Sequence, residues 1–210
     1  SRRLLFENVP PATRAGEERR DLPRELAGEL SPATEAFVPD EVQRHIYGSD
    51  SGTPAVPPFI RRALVRVGTD LVVRPGTLAD LAAFVHWARR QGRSYCIRGT
   101  GTWPFGGAVP LNEEIVLDLS QLDGVHIAPD RETVTVGAGA VIADIRQALR
   151  AEGLALRQEI TNPHSGTLCG WIATGGLGLG CFKYGPVRAS VTALLHLRPD
   201  GEFEVFRPDD

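Results

Sequence analysis

The order of elements along the chain predicts an α+β fold rather than a doubly wound sheet. Three observations carry that prediction. A β-α-β run occupies residues 63–99, strands mixed with one helix follow it, and the chain closes on two strand-like halves that fold back on each other. Each element has a local cause. "ALVRV" (63–67) and "LVVRP" (71–75) are short β-branched runs and read as strands. Thr77 stands where an N-cap belongs, with Asp80 three residues on in the manner of a capping box. Leu78, Leu81, Ala82, Val85 and Ala88 then recur at helical spacing, and Gly92 stops the helix. "SYCIRG" (94–99) is a strand that runs straight into a glycine-rich loop, and "EEIVLDLS" (113–120) is the next strand. "TVTVGAG" (133–139) alternates and ends in two glycines, after which Ile142, Ile145 and Leu149 mark a helix closed by Gly153. "SVTALLHLRPDGEFEVF" (190–206) is a hairpin turning at Pro199, Asp200 and Gly201.

Composition narrows the function classes. The 210 residues, 42% of them hydrophobic, suffice for one good core or one core with a smaller companion. A net charge of −3 and the lack of any Lys/Arg-rich run argue against a nucleic-acid partner. No apolar run approaches the roughly 18 residues of a membrane span, and "SRRLLFENVP" lacks a signal-peptide core, so no transmembrane segment and a cytoplasmic location are expected. Cys96, Cys169 and Cys181 form neither a disulfide framework nor a zinc motif, and no metal site is expected. Residues 1–58 carry eight of the sixteen prolines with many charges and little periodicity. Short helices at 14–30 and 39–47 are expected there, in an extension packed on the body or partly mobile, with the main domain at 59–206. No chemistry is assigned to the extension.

The loop "RGTGTWPFGG" (98–107) fits neither familiar phosphate cradle. Gly99 and Gly101 satisfy the start of a G-x-G-x-x-G turn, but Pro104 occupies the third glycine position. Gly101 and Gly106 have P-loop spacing, yet Gly107 stands where the lysine must be. A second cluster, "GTLCGWIATGGLGLGCFKYG" (166–185), holds seven glycines in twenty residues among apolar side chains. Such density marks backbone that turns sharply or touches something closely. Two weakly charged glycine-rich turns suit the two sides of an extended ligand of FAD size, held at its phosphates by main-chain N–H groups.

The ordered set R-G-x-G-T…G-G-A from Arg98 to Ala108, "IVLDLSQLDGV", "TVTVGAG", "LRAEGLAL", "TLCGWIATGGLG…KYG" and "PDGE" resembles the FAD-binding (PCMH-type) domain of the vanillyl-alcohol oxidase/p-cresol methylhydroxylase superfamily. The likeness covers about residues 47–206 and is nearest to FAD-linked oxidases that include glycolate oxidase subunits and D-lactate dehydrogenases. It implies two small α/β subdomains, one around a short parallel sheet and one around a larger mostly antiparallel sheet, with FAD between them. It also implies cofactor contacts from Gly99, Thr100, Gly101, Thr102, Trp103, Gly106 and Gly107 on the first turn. Pro163, Thr167, Leu168, Gly170, Thr174 and Gly175 would line the flavin side, and His196 would lie near the adenine. Trp103, Cys169 and Gly175 depart from the family's usual residues, and Thr102 stands where covalent members carry the flavin-linking histidine, so non-covalent FAD is expected.

The implied function is the FAD module of an oxidase or dehydrogenase that oxidises an alcohol or 2-hydroxy acid by hydride transfer to flavin N5. The substrate pocket would come from a cap domain absent from this chain or from a partner subunit. The catalytic base is not identified: His164 is the best internal candidate, against the plain reading of a solvated loop histidine. Cys169 reads as an inert thiol, and Arg98 either supplies charge to the phosphates or is a surface residue. Two alternatives remain open, a flavin-fold interaction module with a decayed site and an NADPH-using reductase of the same fold.

Overall fold

The computed structural model describes residues 23–60, 68–112 and 114–208. The strand expected at 63–67, the first part of the helix expected at 14–30 and Glu113 lie outside them. In chain order the described part begins with α1 (Arg24–Glu29), β1 (Glu35–Phe37) and α2 (Glu41–Tyr47). Then come β2 (Val72–Arg74), α3 (Leu78–Arg90), β3 (Tyr95–Arg98) and β4 (Ile115–Asp118). These four strands form one sheet in the order β1-β2-β4-β3, with β2, β4 and β3 parallel and β1 antiparallel on the β2 edge. The α3 crossover therefore joins strands two places apart, and β4 fills the gap between them.

The sheet is buried on both faces, which is why β4 reads as an unbroken apolar run instead of alternating. Val72 and Val116 pack with Phe37 and Tyr47 on one face. On the other, Leu71, Val73, Ile115 and Leu117 pack with Leu26 of α1 and with Leu81, Phe84, Val85 and Ala88 of α3. The apolar spacing on α3 thus has the use its sequence predicts at Leu81, Val85 and Ala88, whereas Leu78 in the first turn is exposed. The amino-terminal segment contributes to both layers and supplies the antiparallel edge strand.

Helix α3 starts and stops where expected. Thr77 Oγ1 accepts from the Asp80 amide at 3.1 Å and donates to Asp80 Oδ2 at 2.7 Å, and Gly92 leaves the helix at φ +63°. The other half of a capping box is replaced by a longer reach, because Asp80 accepts from the amide and hydroxyl of Ser31, both at 2.7 Å. Burial opposes the charge on Asp80, but the hydrogen bonds from Ser31 and Thr77 outweigh it and hold the carboxyl below its ordinary value. A depressed folded-state pKa stabilises the fold above the unfolded value and loses that contribution as pH falls through the folded one. Thermal unfolding followed from pH 7 downward should stay nearly level to about pH 4, the ordinary carboxylate range, and decline below it. Asp80→Asn should lower the neutral plateau and flatten part of that decline; an unchanged acid limb would remove Asp80 as its cause.

The rest of the chain builds antiparallel pieces. β5 (Val125–Ile127) pairs with β6 (Val134–Val136), and α4 (Ile142–Ala151) lays Ile145 and Leu149 against them. The second glycine cluster forms two short helices, α5 (Leu168–Ala173) and α6 (Cys181–Tyr184). β7 (Leu194–Leu197) and β8 (Phe203–Phe206) form the expected hairpin. Its turn glycine, Gly201, has φ +89°, and a Cβ there would lie 2.3 Å from the His86 ring of α3. Only glycine lets the hairpin lie down on that helix. The α+β class is thus observed as a mixed sheet with a parallel centre and two antiparallel ladders. No helix among the described residues is long and apolar enough to cross a membrane.

Candidate functional site

Three parallel strands end side by side, β2 at Arg74, β4 at Asp118 and β3 at Arg98, and the first glycine loop leaves from the last of these. Asp118 is 4% exposed and organises this end of the sheet. Its Oδ2 accepts from the Tyr47 hydroxyl and from Arg74 Nε, both at 3.0 Å, and its Oδ1 from the Ser120 amide at 2.9 Å. Arg74 also donates to Tyr47 Oη at 2.7 Å and to Glu35 at 2.8 Å. Burial, reinforced by the Asp118 charge, pushes the Tyr47 phenol up to about 12.

Arg98 is not a surface residue. It is 7% exposed, its Nη1 donates to the carbonyls of Ser49 (2.8 Å) and Ala108 (3.2 Å), and its guanidinium lies over the Tyr47 ring at 5.7 Å. The loop wraps around this cation. Gly101 turns at φ +66°, and a Cβ there would sit 2.2 Å from Arg98 Nη2. A neighbouring turn at 49–53 backs the loop from beneath. Ser51 N donates to Gly101 O at 3.1 Å, Ser51 Oγ to Thr102 O at 2.7 Å, and the Gly106 amide donates to Asp50 Oδ2 at 2.7 Å. Loop carbonyls are therefore held back against the protein. The amides of Thr100, Gly101, Thr102 and Trp103 donate to no acceptor among the described residues.

The second turn abuts the first. Val141 bridges to Thr167, the Ala143 amide donates to Pro163 O at 2.7 Å, and the Leu168 amide to Ala140 O at 3.1 Å, so α4 fixes the turn from behind. Thr167 caps α5, its Oγ1 accepting from the Gly170 amide at 3.2 Å. A Cβ on Gly99 would meet that Oγ1 at 2.8 Å, and Asn162 Nδ2 reaches Thr102 Oγ1 at 3.2 Å. Thr100 and Thr102 hydroxyls lie 3.4 Å apart.

The structure thus brings together Gly99, Thr100, Gly101, Thr102, Pro163, Thr167, Leu168 and Gly170. Thr174 and Gly175 follow at the far end of α5, Thr174 as its C-cap and Gly175 at φ +69°. Gly106 and Gly107 lie exposed on the outer half of the first loop. Trp103 is nearly half exposed and meets Phe105 edge-on, ring centroids 5.2 Å apart. His196 stands on β7 opposite Glu204, its ring 5.5 Å from that of Phe206, with no hydrogen bond to either turn among the described residues. His164 is exposed in the turn beside Pro163. Burial pushes the thiols up, Cys96 to about 11 and Cys169 in the same direction, which suits inert thiols. The sequence reading missed Ser49, Asp50, Ser51 and Asn162. The signal for the first three was present: "SDSGT" is an Asx-turn sequence, and Asp50 Oδ1 accepts from the amides of Gly52 and Thr53 at 3.0 and 2.8 Å.

Bare glycine backbone, unengaged amides and a buried cation inside the loop are the chemistry with which main chain can hold an anionic group. The chain belongs to the FAD-binding domain family, which matches residues 69–207, and FAD is the cofactor that this family defines. It is 30% identical to a D-lactate dehydrogenase of Archaeoglobus fulgidus over 177 residues, which are 82% of this chain and 37% of that protein. It is 33% identical to a D-2-hydroxyglutarate dehydrogenase of Xanthomonas citri pv. viticola over 133 residues, 62% of this chain and 28% of that one. Among solved structures it matches 6-hydroxy-D-nicotine oxidase of Arthrobacter nicotinovorans at 25% identity with a TM-score of 0.70, over 86% of this chain and 37% of that one. An alkyldihydroxyacetonephosphate synthase at 21% identity and a TM-score of 0.72, with 88% and 37% covered, shares the fold. The chain thus spans 28–37% of the length of these proteins. The resemblance drawn from the glycine motifs holds, and the residues present fit the cofactor: four consecutive amides, Thr100 to Trp103, are unengaged among the described residues on a loop that packs around the buried Arg98 guanidinium.

Proposed function

We propose that this chain is the FAD-binding part of a flavin-dependent dehydrogenase or oxidase acting on an alcohol or 2-hydroxy acid, with D-2-hydroxy acids favoured by the named relatives. The observation that carries the reading is the abutment of the two glycine turns, with four consecutive amides of the first unengaged at the junction. FAD, when bound, supplies the hydride acceptor. Gly99, Thr100, Gly101, Thr102 and Trp103 hold its diphosphate through N–H groups and neutral hydroxyls, with Gly106 and Gly107 closing the loop. Pro163, Thr167, Leu168, Gly170, Thr174 and Gly175 line the flavin side, and His196 marks the adenine end. The domain proper is residues 59–206, completed by the preceding segment that supplies β1, Leu26, Tyr47 and the turn under the loop, and the substrate pocket and base come from a region outside it.

Attachment is non-covalent, because a threonine stands at 102 and its hydroxyl cannot serve as the flavin-linking histidine does. Protein purified and incubated with FAD should turn yellow, release the pigment to the supernatant on acid precipitation, and melt at a higher temperature with saturating FAD than without. Failure to take up FAD would defeat the cofactor reading; pigment that stays with the precipitate would defeat only its non-covalent part.

A further inference from the structure

Resting on the FAD reading, we infer that Asp50 is a positioning residue for the cofactor loop: its carboxylate closes the outer half of the loop and fixes the turn that aims the inner amides at the diphosphate. Asp50 lies ahead of the stretch, 69–207, that matches the family. It is 7% exposed and accepts four donors. Oδ1 takes the Gly52 amide (3.0 Å), the Thr53 amide (2.8 Å) and the Thr53 hydroxyl (2.8 Å), which saturates it and locks the turn at 49–53. Oδ2 takes the Gly106 amide at 2.7 Å, a tie across 56 residues.

The locked turn then acts through Ser51. A peptide group is planar and trans, so its C=O and N–H point in opposite directions. When Ser51 N holds Gly101 O, the Thr102 N–H of the same peptide must face away from the turn. When Ser51 Oγ holds Thr102 O, the Trp103 N–H must do likewise. Gly52 lies flush beneath, since a Cβ there would come within 2.0 Å of Pro104 O. The same packing that removes carbonyls from the ligand's side presents amides to it. Holding a glycine-rich loop in that state beforehand spares the ordering cost that binding would otherwise meet.

The sign of one substitution tests this. A carboxylate close to a diphosphate repels it, so a role through charge alone predicts that Asp50→Asn binds FAD more tightly, with an effect that fades in salt. A positioning role predicts the opposite, because asparagine places an NH2 group among N–H donors. FAD dissociation constants from flavin fluorescence titration, at low and high salt, and melting of the FAD-free protein should be measured for wild type, Asp50→Asn and Ser51→Ala. The expected result is weakening by roughly ten- to a hundredfold for Asp50→Asn, insensitive to salt, and about three- to tenfold for Ser51→Ala. Tighter binding, or unchanged affinity with a lowered melting temperature, would overturn the inference while leaving the FAD reading intact. Wild type that takes up no FAD would remove both. Should Asp50→Asn fail to fold, Ser51→Ala decides: affinity within about twofold of wild type overturns the proposal.

Discussion

Asp118→Ala is expected to destabilise the protein by about 3 kcal/mol and to lower its melting temperature by roughly 10 °C. The carboxylate sits at the carboxyl end of the central strand and is the common acceptor for Tyr47, Arg74 and Ser120. Removing it leaves the Tyr47 O–H and Arg74 Nε without their acceptor, although Arg74 keeps Glu35 and Tyr47 Oη, and an orphaned buried donor costs more than the pair contributed. Breaking a fully buried ion pair costs about 3–5 kcal/mol, and the lower end applies because the Arg74 side chain is 32% exposed and keeps part of its water. Asp118→Asn, which retains an acceptor for the Ser120 amide, should lose less. Urea unfolding of both variants measures the difference. A loss below about 1 kcal/mol for the alanine variant would mean that Tyr47 and Arg74 find other partners.

The position of Asp118 explains what was legible in the sequence and what was not. The beginning and end of α3, the closing hairpin and both glycine turns were readable because their causes lie within a few residues. Thr77 bonds to Asp80 three positions on, and Gly201 terminates its own turn. The network around Asp118 joins residues 44 and 71 positions apart, and no local period records such a bond. For the same reason the prolines and charges of the first 58 residues concealed that Glu35 to Phe37 form a sheet edge and that Tyr47 packs on Val72 and Val116. β5 was equally hidden: three residues, "VHI", carry no periodicity of their own and become a strand only through pairing with β6. Arg98 shows the complementary failure. Its place at a strand end suggests solvent, while its burial follows from carbonyls at Ser49 and Ala108 that only the folded loop brings near.

Gly101→Ala is the sharpest test of whether that loop grips the cofactor, and it should reduce FAD affinity more than a hundredfold while costing about 2–4 kcal/mol of stability. Two effects add. Alanine at φ +66° takes the left-handed strain that glycine avoids, and its Cβ would lie 2.2 Å from Arg98 Nη2 and 2.5 Å from Cζ. The guanidinium has no easy retreat, for it is buried and tied to Ser49 O and Ala108 O. Either it abandons those carbonyls, which releases the base of the loop, or the Gly101 peptide rotates, which breaks its bond to Ser51 and swings the Thr102 amide off its heading. Both outcomes damage the array of N–H groups at Thr100, Gly101, Thr102 and Trp103. Gly124→Ala separates this from a general intolerance of substitution, because Gly124 lies outside both turns, has no positive φ and has nothing within 4 Å of the added carbon. It should keep wild-type stability within about 0.5 kcal/mol. Titration of FAD into both variants gives the comparison: if Gly101→Ala binds as tightly as Gly124→Ala, the peptide at 101 is not among the groups that hold the diphosphate.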